Sequence, residues 1–348
     1  MPVEKAVYIL LLNWNNWKDT IECLESIFKL EYDRFKVIVC DNNSDNNSLR
    51  KIKEWANGLR VAHFLDNDQI KKVVLPYVDK PVRYIEYSIE DVQKCTYDNE
   101  NRKLILIQTR KNLGFAGGNN IGLKYALNCN DCDYIWLLNN DTVVDKMALK
   151  VLVDCAKTNK NSIYGSKLLS YYYPSRIQAL GISFNKYWGT TKFVVNQSDI
   201  SKIDFLVGAS MFIPSYVLKR IGLFSEEYFL YYEEADFWKK CKNKYTFVCA
   251  LDSIVYHKEG ATIGASNKSK IEKSLIGDFY GIRNRILFMK KYYPNYLITV
   301  YLGLIVTIFN RIRRKQYTRV KMIFKIITNS NMTYLEYLTN FNNKKQEK

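Results

Sequence analysis

The stretch Tyr134–Val144, with the sequence YIWLLNNDTVV, decides the fold of this chain. Its first five residues are apolar or aromatic, a run too short for a buried helix and typical of a strand covered on both faces. Asn139, Asn140 and Asp141 follow, before a predicted helix at 146–156. Ligands of open α/β sheets bind at the carboxyl ends of strands, where one carboxylate among amides suits a divalent cation that also holds a phosphate. The alternative is an Asx turn that links strand and helix.

Composition limits the fold class and the partners. The chain has 348 residues, of which 47% are hydrophobic, enough for a substantial core in one large domain or two ordinary ones. The net charge of +17 is uneven, because residues 267–348 hold 17 Lys or Arg against 4 Asp or Glu, a net of +13. A basic C-terminal region on a nearly balanced body predicts contact with an anionic surface, either a membrane or nucleic acid.

The eight cysteines are scattered, and several lie inside apolar runs. Cys129 and Cys132 form an isolated C-x-x-C without a second pair or a nearby histidine, which disfavours zinc or redox chemistry. Residues 1–5 lead directly into the first predicted strand, so we expect no signal peptide. Reduced thiols in a cytoplasmic protein are the simplest interpretation.

Two buried strands with a helix between them open the chain. Residues 7–12 and 35–40 are continuous apolar runs, and 20–29 carries a helical apolar stripe. This β-α-β order predicts a parallel pair with a right-handed crossover. Both strands end in polar residues, so Asp41 is placed either to accept hydrogen bonds from a nucleotide or to cap a helix. The following segment, 66–102, predicts an inserted hairpin or small subdomain.

A glycine-rich stretch, RKNLGFAGGNN at 110–120, lies between a predicted strand at 103–109 and a predicted helix at 121–127. Glycines allow close approach of the backbone, and free N–H groups at a helix start favour an anion, so the stretch predicts a diphosphate site. Its spacing is neither the Walker pattern nor the dinucleotide pattern. A glycine-rich turn without a ligand is the alternative.

The second half of the chain contains three further strand candidates, at 162–169, 193–195 and 248–256, an apolar run at 205–214, and a predicted helix at 215–221. Three small residues interrupt the apolar run FLVGASMFIP, where a ligand or another backbone could approach: Gly208, Ala209 and Ser210. His257 closes the last of these strands.

An acidic cluster lies among aromatic residues at 224–238. Glu233, Glu234 and Asp236 fall within four residues of one another. Burial of neighbouring carboxylates raises the pKa of one of them, which suits that group to act as a general base. A solvated acidic helix start is the alternative.

Seven blocks, in this order, resemble the inverting nucleotide-diphospho-sugar glycosyltransferases of family 2, in particular their rhamnosyltransferase-like branch. They are VYILLLNWNN, VIVCDNNSDN, RKNLGFAGGNNIGL, YIWLLNNDTVV, GASMFIP, LFSEEYFLYYEEADFWKK and VYHKEG. The resemblance covers most of the chain and implies the GT-A fold, an α/β class with a mostly parallel central sheet flanked by helices. It implies a catalytic domain over 1–265, with an insertion at about 66–102, and a helical, basic C-terminal region over 266–348.

The resemblance also implies roles for individual residues. Glu234 would be the catalytic base, with Glu233 as the runner-up, and Asp141 and His257 would bind Mg²⁺ or Mn²⁺. Because Asn139 stands where the family's motif has its first aspartate, we expect weak metal dependence. The nucleotide-sugar would contact Asn13, Asp41, Asn43, Arg110, Asn112, Gly114, Phe115, Gly117, Asn120, Asn139 and Asn140. The acceptor side would be formed by Gly208, Ala209, Ser210 and Asp236.

The implied reaction moves a sugar, with rhamnose among the candidates, from a dTDP- or UDP-sugar to a hydroxyl of a glycan or lipid-linked glycan in cell-surface polysaccharide synthesis. A transferase that uses a polyprenyl-phosphate acceptor is one alternative. A basic nucleic-acid-binding protein is the weaker alternative, because it leaves the glycine-rich stretch and the acidic cluster unexplained. We therefore expect no nucleic acid partner.

The C-terminal region leaves two interpretations open. Residues 296–309 carry no charge and precede the basic run 311–315, yet a membrane-spanning helix needs about 20 apolar residues. The segment is either an interfacial helix with a basic end, which would place the protein at the inner face of the cell membrane, or a core helix packed on the catalytic domain. Arg283, Asn284 and Arg285 are expected to frame the acceptor side.

Overall fold

The computed structural model describes residues 5–94, 102–258 and 274–339. The strands of the first half are β1 Val7–Asn13, β2 Phe35–Asp41, β3 Tyr84–Ser88, β4 Leu104–Gln108, β5 Tyr134–Asn139 and β6 Thr142–Val144. The strands of the second half are β7 Ser162–Ser170, β8 Ile177–Ala179, β9 Gly181–Asn185, β10 Thr190–Val194, β11 Ser210–Pro214 and β12 Thr246–His257.

Helices cover both faces of the strands. Those of the first half are α1 Trp17–Ile27, α2 Ser48–Ala56, α3 Asp68–Val74, α4 Ile89–Gln93, α5 Gly114–Asn128 and α6 Ala148–Thr158. Those of the second half are α7 Ser215–Ile221, α8 Glu233–Cys241, α9 Leu275–Tyr292, α10 Leu297–Arg313 and α11 Tyr317–Thr328.

The central sheet has the strand order β3-β4-β2-β1-β5-β11-β7-β12-β6, with β8 paired to β7. Neighbouring strands from β3 to β5 run parallel, whereas β11 runs antiparallel to both β5 and β7. The predicted α/β class with a mostly parallel sheet is therefore confirmed. The register pairs Asn13 with Asp41 and Leu12 with Asn139, which brings three strand ends to one edge.

The continuous apolar runs form strands because the sheet is buried on both faces. Ile9 and Leu11 of β1 pack into one core with Trp136 of β5, and Leu10 packs into the opposite core with Leu137. Alternate side chains of a strand point to opposite faces, so a strand without polar positions is stable only between two helical layers.

A chain of hydrogen bonds crosses the interior of the sheet. The indole of Trp136 donates to Ser210 Oγ at 2.9 Å, and Ser210 donates to Ser166 Oγ at 2.8 Å. Ser166 and Ser253 share a hydrogen bond of 2.8 Å, and Ser253 donates to the carbonyl of Ala148 at 3.0 Å. Buried polar groups are thus paired across four strands, as their desolvation requires.

The structure differs from the sequence interpretation at four places. Segment 66–102, predicted as a hairpin or small subdomain, adds β3 to the edge of the central sheet, parallel to β4, and its described residues form no hairpin. The run 205–214 enters the sheet only from Ser210, because a turn closes between Val207 and Ser210. The candidate at 193–195 ends β10, which pairs with β9 in a separate two-stranded sheet. Helix α5 begins at Gly114, so most of the glycine-rich stretch is helical.

The cysteines lie mainly in the interior. Among the described residues, seven cysteines carry thiols rather than disulfides, and six of these are buried. Cys95 and the expected domain boundary at 265/266 lie outside the described residues.

The C-terminal helices pack on the rest of the fold through a third core that includes Phe279 and Phe288 of α9. Helix α10 contributes only Val300 and Leu304 as buried residues. The segment Pro294–Arg313 has 20 residues and contains an 18-residue window with a mean hydropathy of 1.4, so by length and composition alone it could cross a membrane. Only 11% of that window is buried, which contradicts the interpretation as a core helix.

Candidate active site

The carboxyl ends of β1, β2 and β5 hold a network of buried polar side chains. Asn13 donates to Asp41 Oδ1 at 2.6 Å and accepts from the Thr20 hydroxyl at 2.9 Å. Ser44 donates to the same oxygen of Asp41 at 2.6 Å. Asn140 donates to Thr20 at 2.9 Å. These contacts hold the predicted nucleotide-binding side chains in fixed orientations and leave Asp41 almost inaccessible.

Asn42 is a residue that the sequence interpretation missed. It is buried, donates to Asn112 Oδ1 at 2.9 Å and to the Gly114 carbonyl at 3.1 Å, and accepts from the Leu113 amide at 2.9 Å. Asn42 therefore fixes the start of α5 against the end of β2. The sequence signal for this role was the position of Asn42 between Asp41 and Asn43, which were both predicted to bind the nucleotide-sugar.

A polar pocket of about 370 Å³ opens beside this edge, where β2, β3 and β4 end. Asn43 and Arg110 line it, together with Ser88 and Glu90 from the segment 66–102. Arg110 is largely exposed and forms an ion pair of 2.9 Å with Glu90. The segment 66–102 thus supplies one wall next to two of the predicted nucleotide-binding residues.

Asp141 and His257 face each other at the end of β5 and β12. Asp141 Oδ1 lies 3.3 Å from His257 Nε2, and within the described residues this buried oxygen has no hydrogen-bond partner. Gln178 lies 2.9 Å from the other ring nitrogen, His257 Nδ1, and Asn139 Nδ2 lies 3.5 Å from Nε2. A buried carboxylate oxygen without a partner, opposite an imidazole nitrogen, fits a bound divalent cation.

The charge of Asp141 is maintained by its surroundings. Burial raises the pKa of this carboxyl, but His257 and Lys258 outweigh it, and the pKa lies below its usual value. The described residues contain no group of three or more His, Cys, Asp or Glu that could hold a metal ion. A cation here would have two protein ligands, and water or phosphate oxygens would complete its shell.

Lys258 is a second missed residue, directly after His257 in the sequence. Its ammonium group pairs with Asp19 at 2.5 Å and with Glu22, and its backbone amide donates to the carbonyl of Asp141 at 3.0 Å. Lys258 thus ties α1 to the strand ends that carry the Asp141–His257 pair.

The two glutamates at the start of α8 have different surroundings. Glu233 is buried, and its Oε2 has no hydrogen-bond partner among the described residues. Burial and the charge of Glu234 raise the pKa of Glu233 well above its usual value. Glu234 is half-buried and packs against Gly208; burial raises its pKa, while hydrogen bonds from backbone amides, including that of Gly208, lower it in part.

Residues 8–76 and 86–222 match the model of a protein family described as glycosyl transferase family 2. The chain belongs to this family. It is 24% identical over 155 residues to the low-salt glycan biosynthesis hexosyltransferase Agl10 of Haloferax volcanii, an alignment that covers 44% of this chain and 49% of the relative. The chain therefore spans about half the length of that relative.

Two solved structures support the same fold for this transferase. The mannosyltransferase PcManGT of Pyrobaculum calidifontis, solved with GDP-Man and Mn²⁺, has a TM-score of 0.50 and 10% identity, over 99% of this chain and 81% of that one. GalNAc-T7, solved with UDP, GalNAc and Mn²⁺, has a TM-score of 0.51 and 12% identity, over 81% and 51%. The transferase is a family 2 glycosyltransferase with the GT-A fold.

Other predicted site residues of the transferase make hydrogen bonds or close contacts within the fold, and their predicted roles stay predictions. Asn120 is buried and donates to the Phe224 carbonyl and to Glu226, each at 2.9 Å. Ser210 lies in the hydrogen-bond chain of the sheet interior, and the carbonyl of Ala209 accepts from the Asn139 amide at 3.0 Å. Gly117 lies against Leu113, and a Cβ added at position 117 would lie 2.8 Å from the Cβ of Leu113.

Asp236 is fully buried and faces the contact between α8 and α9. Lys291 and Tyr292 donate to its Oδ1 at 2.7 and 2.8 Å, and Lys240 lies 2.9 Å from Oδ2. Burial raises the pKa of Asp236, but these partners outweigh it and the pKa lies below its usual value. The side chain therefore joins α8 to α9, and its place on the acceptor side stays a prediction.

Arg283 and Asn284 are likewise buried, and both bind backbone carbonyls of the segment before α8. Arg285 donates to the carbonyl of Trp188 at 2.8 Å through Nε. The three residues therefore support loops, and the expectation that they frame the acceptor side stays a prediction.

Proposed function

We propose that the protein transfers a sugar from a nucleotide-diphospho-sugar to a hydroxyl of a glycan or lipid-linked glycan, with inversion at the anomeric carbon. The observation that carries the proposal is the combination of an unpartnered buried oxygen of Asp141 facing His257 with a half-buried Glu234 of raised pKa. Asp141 and His257 suit a cation that holds a diphosphate, and Glu234 suits a general base.

The donor would lie along the ends of β1, β2 and β4. The family membership supports a nucleotide-sugar, and the pocket beside Asn43 and Arg110 supports a base or ribose at that edge. A dTDP- or UDP-sugar is proposed, with rhamnose as a candidate because the sequence blocks resemble the rhamnosyltransferase-like branch.

Asp141 and His257 would hold Mg²⁺ or Mn²⁺. Two solved relatives of the same fold contain Mn²⁺, which agrees with this proposal. A divalent cation at this pair supplies positive charge that stabilises the departing diphosphate.

Glu234 would take the proton of the acceptor hydroxyl as its oxygen attacks the anomeric carbon. Glu233 is the weaker candidate, because its Oε2 is buried without a hydrogen bond among the described residues, and burial with the charge of Glu234 raises its pKa well above the usual value, which disfavours the ionised form that a base needs. Since the pKa of Glu234 is also raised, the base form appears only as the pH rises through that value, and turnover should rise with it.

The test is transfer from a panel of dTDP- and UDP-sugars with Mn²⁺ to glycan, lipid-linked glycan and lipid phosphate acceptors. Glu234→Gln should lower kcat by about 10²–10⁴-fold while donor binding persists, and Glu233→Gln should lower it far less. Normal turnover by Glu234→Gln would refute the assignment of the base, and transfer only to lipid phosphate would refute the acceptor.

The proposed acceptor fits a peripheral place at the inner face of the cell membrane. One face of α10 presents exposed apolar side chains: Ile298, Leu302, Ile305, Val306, Phe309 and Ile312. Exposed basic residues follow at Arg313, Arg314 and Lys315. An apolar helix face with a basic end suits an anionic lipid surface, where a lipid-linked glycan would be presented.

A further inference from the structure

The loop that leads into α8 has an unusual backbone. Phe229, Tyr231 and Tyr232 have φ angles of 60°, 67° and 74°, in the left-handed region that side chains other than glycine rarely occupy. Glu233 and Glu234 follow directly. Such a conformation persists only when surrounding contacts hold it, so the position of the proposed base depends on what fixes this loop.

One side chain of α9 binds three carbonyls of the loop. Asn284 is fully buried, and its Nδ2 donates to the carbonyls of Tyr228, Leu230 and Tyr231 at 2.6, 2.7 and 3.0 Å. Arg283 donates to Asn284 Oδ1 at 2.7 Å. A guanidinium is only a donor, so this contact fixes the amide orientation and points Nδ2 at the loop.

The other side of the loop contacts the glycine-rich stretch. The carbonyl of Phe229 accepts from the amide of Phe115 at 2.6 Å, near the start of α5. Gly114 has a φ of +72°, and a Cβ there would lie 2.3 Å from that same carbonyl oxygen. The loop is therefore held between α9 on one side and the start of α5 on the other.

We propose that Asn284 is a positioning residue for Glu234. By binding three carbonyls, it keeps the loop in its left-handed conformation, and the loop in turn sets where the Glu234 carboxylate lies beside Gly208. The inference rests on the proposed role of Glu234 as base. It makes the C-terminal region part of the catalytic apparatus, because Asn284 reaches the loop from α9.

The test compares Asn284→Ala with Asn284→Asp, which keeps the size of the side chain but turns an oxygen toward the carbonyls. Asn295→Asp, at an exposed position between α9 and α10, is the matched control. Both Asn284 variants should lower kcat by about 10²-fold, with little change in donor KM. The acidic limb of the pH profile should move to lower pH as water reaches Glu234, and amides of 229–235 should exchange hydrogen faster.

Hydrogen exchange separates this inference from the proposed function. If the wild-type protein transfers no sugar, the proposed function fails. Faster amide exchange at 229–235 in the Asn284 variants would even then show that Asn284 fixes the loop. Unchanged exchange, a kcat within about threefold of wild type, or a lower kcat with an unmoved pH limb would overturn the positioning role. Asn284→Ser, which keeps one donor, serves if the alanine variant does not fold.

Discussion

Gly208→Ala is a sharp probe of the proposed base, because it changes the space beside Glu234 without touching any ionisable group. A Cβ at position 208 would lie 2.2 Å from Glu234 Oε1 and 3.1 Å from its Cδ. Ordinary van der Waals contact begins near 3.4 Å, so the carboxylate must move by about 1 Å or more. The atom in conflict is the end of a flexible side chain, and it can move while the backbone keeps its place.

The displacement predicts a loss of turnover with little loss of stability. Moving a catalytic group by about 1 Å lowers the rate by about 10²-fold. Because the side chain can rotate away, we expect the free energy of unfolding to change by less than about 1 kcal/mol. Donor affinity should stay near the wild-type value, since the diphosphate is proposed to lie at Asp141 and His257.

The assay is steady-state transfer with saturating donor, together with calorimetric donor binding and chemical denaturation. Gly281→Ala is the control, since the described structure places nothing within 4 Å of a Cβ at that position of α9. It should keep full activity and gain up to about 1 kcal/mol in stability from its helix propensity. A Gly208→Ala variant with kcat within about threefold of wild type would refute the reasoning.

Three further predictions test other parts of the structure. Asp141→Ala should abolish the dependence of donor binding on Mn²⁺, and calorimetry that still shows this dependence would contradict the metal site. Lys258→Met should cost about 3–5 kcal/mol of unfolding free energy by denaturant titration, because two carboxylates lose their buried cation. The loss should shrink toward acid pH, because burial raises the pKa of Glu22, Lys258 lowers it in part, and without that cation the carboxyl takes up a proton more readily. Ile305→Asp should reduce co-sedimentation with anionic vesicles. Leu59→Asp, at a position that is also exposed but lies outside α10, should not reduce it. If the two variants co-sediment equally, α10 is not the lipid contact.

The strands of the first half of the chain were predictable because apolar side chains cover both of their faces. The run 134–138 lies between two apolar layers, so its composition alone indicates a strand, and the observed strand ends one residue later. Asp141 and His257 were predicted to lie at strand ends, and the structure brings them within 3.3 Å. They meet because β12 pairs antiparallel with β6, in a register that places His257 opposite Thr142, the residue after Asp141.

Contacts that depend on distant partners were not predictable. Asn284 binds carbonyls 53 to 56 residues earlier in the chain, and its amide gives no local pattern. The segment 66–102 was predicted as a hairpin or small subdomain and adds an edge strand parallel to β4, because alternation predicts a strand but not its partner. Only the family resemblance favoured Glu234 over Glu233 in the sequence, whereas the structure distinguishes them by burial and by the backbone hydrogen bond that Glu234 accepts from Gly208.

The hydrogen-bond chain through Trp136, Ser210, Ser166 and Ser253 has a consequence for how the protein folds. Its links join residues 74, 44 and 87 positions apart, whereas Asn13 and Asp41 are 28 apart. Long loops close at a greater entropic cost, so distant pairings form later than near ones. We expect β1 and β2 to assemble early and the pairing of β7, β11 and β12 to follow. In a newly made chain, the paired ends of β1 and β2, where the nucleotide is proposed to bind, would then form before Asp141 and His257 come together.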